Sequence, residues 1–168
     1  MSANNDQNEK SQDIGFLKLL QPKRLQRIRF LGELFKCNGY ELRIAGGAVR
    51  DLVNNIVPQD IDLATDARPE DTLRLVEKHP DLFRVIVTAA GQKHGTIAVK
   101  FKEVDEADLC KRIRLSEPSI MRDEQQNEPI YDEESPYEIT TLRRDKITDG
   151  RHAEVEFIDD WKKDAERR

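Results

Sequence analysis

Cysteine is scarce in this 168-residue chain, and the two present, Cys37 and Cys110, lie far apart with no CxxC pair. Such usage fits a reduced intracellular compartment. Three histidines, His79, His94 and His152, are scattered without zinc-ligand spacing, so no structural zinc is expected. No stretch approaches the roughly 20 apolar residues that span a bilayer, so no membrane partner is expected. The first fifteen residues, MSANNDQNEKSQDIG, lack an apolar signal core. They carry acids and no Arg, unlike a mitochondrial transit peptide. The expected localisation is therefore cytoplasmic, with mitochondrion and nucleus left to isoforms that start elsewhere. Positive charge is also in deficit: Lys and Arg total 28 against 33 Asp and Glu, a formal net charge of −5. A basic surface over the whole chain is excluded. An RNA partner would need a local basic cluster or a grip from another segment.

What is there is modest in apolar content (37%) and rich in charge (36%). One folded unit is expected, with part of the chain solvated. Residues 1–21 read as a disordered tail and 22–168 as the folded unit. An acidic stretch at about 103–135, broken by Pro118, Pro129 and Pro136, reads as a long mobile insertion with a short helix near 107–114. From Pro22 to Asn38 the apolar residues Leu25, Ile28, Leu31, Leu34 and Phe35 recur at helical steps. Pro22 suits the first turn and Gly39 the C-terminal cap. Lys23, Arg24, Arg27 and Arg29 fall off that stripe and read as a solvated face. Strands are expected at 42–45, 61–65, 83–88, 96–101, 137–143 and 153–158, with helices at 48–55, from 68 to about 78, and from 160 onward. That mixture indicates an α+β fold with one mixed or antiparallel sheet flanked by helices.

Two neighbouring features carry chemistry. Gly46-Gly47 falls between a strand and a helix start, where glycine lets the backbone approach a ligand closely and helical N–H groups suit a phosphate. Arg50 follows one turn later and can donate to the same phosphate. The sequence has neither the GxxxxGK[ST] nor the GxGxxG pattern, so the turn alone is a weak signal. The second feature is Asp60-Ile61-Asp62. On a strand, residues i and i+2 share a face, so two carboxylates would stand side by side with Ile61 toward the core. Paired carboxylates suit Mg²⁺, which also bridges substrate phosphates. An isolated Asp-x-Asp is more often two solvated acids; its closeness to the Gly-Gly-x-x-Arg turn favours function.

The stretches Arg43 to Asp51 (RIAGGAVRD) and Asp60 to Thr65 (DIDLAT) resemble the first signature of the class II CCA-adding enzymes, animal type, of the polymerase-β-like nucleotidyltransferase superfamily. The resemblance continues through Lys93 to Ile97 (KHGTI), Glu138 to Arg143 (EITTLR), Asp149 to Val155 (DGRHAEV) and Trp161 to Arg168 (WKKDAERR). It implies a nucleotidyltransferase head that transfers CMP and AMP from CTP and ATP to a tRNA lacking its 3′ CCA, releasing pyrophosphate, with Mg²⁺ as cofactor. Asp60 and Asp62 match the metal-binding carboxylates. Glu138 matches an acidic position on a neighbouring strand that completes a carboxylate cluster; read from the residues alone, it is equally an exposed strand acid. Gly46, Gly47 and Arg50 match the triphosphate-contacting turn. Arg151 falls in a loop that orients nucleotide and primer, and Arg168 at the start of a sugar-recognising segment. His94 is expected to make a structural hydrogen bond. The template segment that selects CTP and then ATP in the family has no counterpart in these 168 residues, so weak or absent CCA addition is expected of them alone. Two other readings stay open: a poly(A) polymerase-like enzyme with another acceptor, and a non-catalytic binding fragment.

Overall fold

A computed structural model describes residues 18–86, 91, 94–112, 135–146 and 154–168. The end of the strand expected at 83–88, most of the acidic stretch (113–134) and the loop 147–153, which holds Arg151, lie outside them. The elements run in the order α1 (Pro22–Cys37), β1 (Leu42–Ala45), α2 (Gly47–Val53), β2 (Asp62–Thr65), α3 (Pro69–Glu77), β3 (Phe83–Ile86), β4 (Thr96–Phe101), α4 (Glu106–Arg112), β5 (Tyr137–Thr141), β6 (Arg143–Asp145), β7 (Val155–Phe157) and α5 (Trp161–Arg167).

Five strands form one sheet in the order β1-β2-β5-β4-β3, and β6 pairs with β7 in a separate ribbon. β2 and β5 are parallel, whereas the other neighbours in the large sheet are antiparallel. The sheet is therefore mixed, as the α+β reading anticipates. Parallel neighbours need a long crossover, and the chain between β2 and β5 contains α3, β3, β4 and α4.

Strand alternation divides the sheet into two unlike faces. One carries Leu63, Ile139, Ile97, Val99, Phe83 and Phe101, all buried. Helix α1 lays Phe30, Leu31, Leu34 and Phe35 into the same core, and α3 adds Leu75 and Val76. Aromatic edges knit this layer: Phe83 and Phe101 lie 4.9 Å apart between centroids, and Phe101 and Tyr137 5.7 Å. Such pairs each add about 0.5–1.5 kcal/mol beyond area burial.

α1 begins with proline at its first turn and ends in a Schellman arrangement. Gly39 has φ +84°, its N–H donates to Lys36 O, and the Tyr40 N–H donates to Phe35 O. The basic face expected to be solvated is not uniformly so. Arg27 is only 8% exposed, with its guanidinium over the Phe101 ring at 5.2 Å. A long apolar stem and a planar cation can both lie along an aromatic surface, which a helical-wheel reading of charge overlooks.

Other boundaries shift. The strand expected at 137–143 is two strands, because Leu142 passes the chain between the sheets: its N–H still donates to Thr65 O of β2, while its carbonyl accepts the Ile158 N–H just beyond β7. Leu20, near the end of the expected tail, belongs to the core. The start of the acidic stretch forms α4 and docks: Leu109 is fully buried, and Arg112 reaches Asp81 and Asp108.

Candidate functional site

The second sheet face presents Arg43, Ala64, Thr140 and Thr96 in one cross-strand row, and Ala45, Asp62, Glu138 and Ala98 in the next. The first row is covered. Trp161 stacks on Arg43 with 4.1 Å from guanidinium carbon to ring centroid, and the Phe157 ring lies against Gly95 at the other end. Ala64 and Thr140 between them are buried. Thr140 and Thr96 share a hydroxyl–hydroxyl hydrogen bond of 3.1 Å.

The second row is the site. Asp62 and Glu138 are register partners in the parallel β2–β5 pair, so their side chains leave the same face from strands about 4.8 Å apart. Alanines flank them on both sides, at positions 45 and 98. These short side chains leave the carboxylates standing above a low floor. Among the described residues, no Lys or Arg is ion-paired with Asp60, Asp62 or Glu138.

Asp60 sits differently from the expectation. β2 begins at Asp62, and Asp60 lies in a bend before it, so the two aspartates are not both strand residues. Ile61 between them is buried, as expected. Asp60 is therefore held by its flanks rather than by ladder hydrogen bonds. Pro58 is buried on one side, and the Arg24 guanidinium donates to Pro58 O (3.2 Å) and Gln59 O (2.7 Å).

The glycine turn closes on the carboxylates. Gly46 has φ +65° and ψ −141°, a region open essentially to glycine alone. A Cβ there would lie 3.0 Å from Asp62 Oδ2. Glycine is thus demanded twice, by the backbone angle and by the approach to Asp62. Gly47 opens α2, and a Cβ on it would lie 3.4 Å from Arg50 Nη2, which places the guanidinium back over the turn. Gly46, Gly47, Arg50, Asp62 and Glu138 thus belong to one edge of the open face.

The donors fit a hard divalent cation, being carboxylate oxygens alone. Among the described residues, no group of three or more His, Cys, Asp or Glu side chains is gathered to hold a metal. The cluster of Asp60, Asp62 and Glu138 that the family resemblance implies is therefore not gathered as a set of three: Asp62 and Glu138 are the register pair, and Asp60 lies in the bend before β2.

Arg168 is placed elsewhere in the network. Asp164, 2% exposed, accepts the Arg143 N–H (3.0 Å), Arg167 Nη2 (3.0 Å) and Arg168 Nε (2.7 Å). Burial alone would raise its pKa. The Arg143 N–H and the two guanidinium groups outweigh that and hold the carboxyl below its ordinary 3.8. Arg143 in turn donates to His94 O, so the structural hydrogen bond expected near His94 runs through its backbone. α5 is thereby locked to β6 and to the segment before β4. Arg24 and Asp164 were not singled out from sequence. The partners of Arg24 lie 34 and 35 residues away and the Arg143 N–H lies 21 residues from Asp164, beyond the reach of any local pattern. Arg167 and Arg168, by contrast, stand at i+3 and i+4 from Asp164, a helical spacing that was readable in the sequence.

Comparison with known proteins places the chain in a family. The chain matches the model of the poly A polymerase head domain over residues 42–129. It is 42% identical over 141 residues to CCA tRNA nucleotidyltransferase 1, mitochondrial, of Homo sapiens, covering 84% of this chain and 25% of the human protein. It is 28% identical over 148 residues to a CCA-adding enzyme of Bacillus cytotoxicus, covering 87% of this chain and 28% of that enzyme. The crystal structure of the Bacillus stearothermophilus CCA-adding enzyme in complex with CTP superposes with a TM-score of 0.53 at 26% identity, covering 89% of this chain and 26% of that one. The chain thus spans about a quarter of the length of these relatives. With a cradle of glycine turn and paired strand carboxylates, and a family model that matches just over half of its residues, the chain belongs to the poly A polymerase head domain family.

Proposed function

We propose that this chain is the catalytic head of a CCA-adding nucleotidyltransferase, which transfers CMP and AMP from CTP and ATP to a tRNA lacking its 3′ CCA and releases pyrophosphate. The observation that carries the reading is the register pairing of Asp62 with Glu138, with Gly46 closed against Asp62. Asp60 and Asp62 are the carboxylates suited to Mg²⁺, with Glu138 the register partner of Asp62. When bound, that ion lowers the pKa of the attacking hydroxyl and neutralises the leaving pyrophosphate.

The chain's own groups do the rest by positioning. The turn at Gly46 and Gly47 brings backbone close to the triphosphate, and Arg50 donates to a phosphate oxygen. Arg151 orients nucleotide and primer. Arg168, held by Asp164, contributes at the sugar end of the nucleotide. Mitochondrial residence is part of the proposal and rests on the names of the animal relatives. Among the described residues, no helix is long and apolar enough to cross a membrane.

The test is incorporation of labelled CTP and ATP into a tRNA lacking its CCA, with Mg²⁺, by this chain and by the Asp60→Ala/Asp62→Ala double variant. Incorporation abolished in the double variant supports the proposal. Incorporation that the double variant retains refutes the assignment of the aspartates. Extension of non-tRNA primers in preference would favour a poly(A) polymerase-like acceptor instead. A folded chain with no incorporation would point to a binding head that needs further segments for chemistry.

A further inference from the structure

Asp62 and Asp60 are secured by different means. Asp62 is a sheet residue, with Ala45 on one neighbouring strand and Glu138 on the other. Asp60 precedes the strand and lies in a bend, so no ladder fixes its backbone. Buried Ile61 follows it and anchors the exit side. On the entry side, Arg24 Nη1 donates to Pro58 O at 3.2 Å and Nη2 donates to Gln59 O at 2.7 Å. The Gln59 carbonyl belongs to the peptide plane that ends in the Asp60 nitrogen. Orienting that plane therefore sets the starting direction of Asp60 itself. A planar guanidinium with two donor nitrogens at fixed separation can hold two successive carbonyls, whereas an ammonium carries its three N–H donors on one nitrogen and has no fixed fork. The arginine sits on α1, whose Phe30, Leu31, Leu34 and Phe35 are buried in the core. The loop before Asp60 is thus referenced to a helix whose apolar face lies in the core.

We infer that Arg24 is a positioning residue for the metal-binding carboxylates: through the Pro58 and Gln59 carbonyls, it holds Asp60 where it can share a divalent cation with Asp62. The inference rests on the reading of Asp60 and Asp62 as metal ligands. Removing an outer partner of a metal ligand characteristically weakens metal binding by about 10- to 100-fold. Arg24→Gln removes the fork and keeps a polar stem. Arg24→Lys keeps the charge and a donor nitrogen but loses the fork.

The experiment titrates Mn²⁺ in the presence of CTP by electron paramagnetic resonance, for the 168-residue chain, Arg24→Gln, Arg24→Lys, Asp60→Ala and Asp62→Ala. Thermal melts and amide hydrogen exchange at residues 59–62 accompany each titration. Arg24→Gln is expected to weaken Mn²⁺ binding by about tenfold and to speed exchange at 59–62. Arg24→Lys is expected to fall between that and the unaltered chain. Both are expected to melt within a few degrees of it. If Asp60→Ala loses Mn²⁺ while Arg24→Gln binds it normally, Arg24 does not position the site, and the metal reading survives. If the unaltered chain binds no Mn²⁺, or both aspartate variants bind it as well as the unaltered chain, the metal reading falls and takes the inference with it. Should Arg24→Gln fail to fold, Arg24→Lys decides: unchanged Mn²⁺ affinity overturns the inference, and a several-fold loss in a normally melting protein supports it.

Discussion

Replacing Gly46 by alanine should damage the fold and the site together, and the two parts can be separated. The backbone at φ +65°, ψ −141° lies where a side-chain-bearing residue costs about 1–3 kcal/mol. The added Cβ would stand 3.0 Å from Asp62 Oδ2, so the carboxylate must move by a few tenths of an ångström. Pushing a side chain off its preferred rotamer adds about 0.5–1.5 kcal/mol. The total is about 1.5–4.5 kcal/mol, or roughly 3–18 °C in melting temperature for a chain of this size. Urea melts of Gly46→Ala in the native and Asp62→Ala backgrounds measure the two parts. In the Asp62→Ala background the carboxylate contribution should vanish, leaving the backbone cost and a coupling of about 0.5–1.5 kcal/mol. A Gly46→Ala variant as stable as the parent would refute the strained turn. An identical loss in both backgrounds would refute the contact between the turn and Asp62.

Asp164→Ala should cost about 3–5 kcal/mol, because it leaves the part-buried Arg143 N–H and two largely enclosed guanidinium groups without their acceptor. Its pH dependence has a fixed sign. The folded pKa lies below the ordinary 3.8, so the carboxylate's contribution is complete above that value and disappears as pH falls through the lower, folded one. Urea melts should therefore show the gap between parent and Asp164→Ala closing below about pH 4, and a constant gap would contradict the assignment. Gly95→Ala should destabilise through φ +74° and a Cβ only 2.4 Å from Phe157 Cε1, about 1–2 kcal/mol for the backbone with a clash beside it. Trimming Phe157 to leucine in the same chain should recover part of the loss in a thermal melt. Thr141→Val removes the 2.8 Å bond to Ala67 O and should cost about 1–2 kcal/mol by the same measurement.

The candidate site was legible where its chemistry is local. Gly46-Gly47 and Asp60-Ile61-Asp62 announce a turn beside an acidic pair from spacing alone, and the sheet brings both to one edge. Glu138 was assigned near the aspartates by the family resemblance; its own residues read equally as an exposed strand acid, because its register with Asp62 depends on the parallel pairing of two strands far apart in the chain. The strand expected from Ile61 missed that Asp60 lies in a bend, since propensity cannot locate the first ladder hydrogen bond. Arg27 and Leu20 were misjudged for a related reason. Their burial depends on an aromatic surface and a core that other segments build. The helix expected near 107–114 is real, yet its docking through Leu109 follows from α1, not from its own acidic surroundings.

Calorimetric titration of CTP, with and without Mg²⁺, into this chain and into Asp62→Asn and Glu138→Gln tests the paired-carboxylate site most directly. The account predicts Mg²⁺-dependent CTP binding that Asp62→Asn weakens by about tenfold or more and Glu138→Gln by a smaller factor. CTP binding that ignores Mg²⁺, or that Asp62→Asn leaves unchanged, would contradict it.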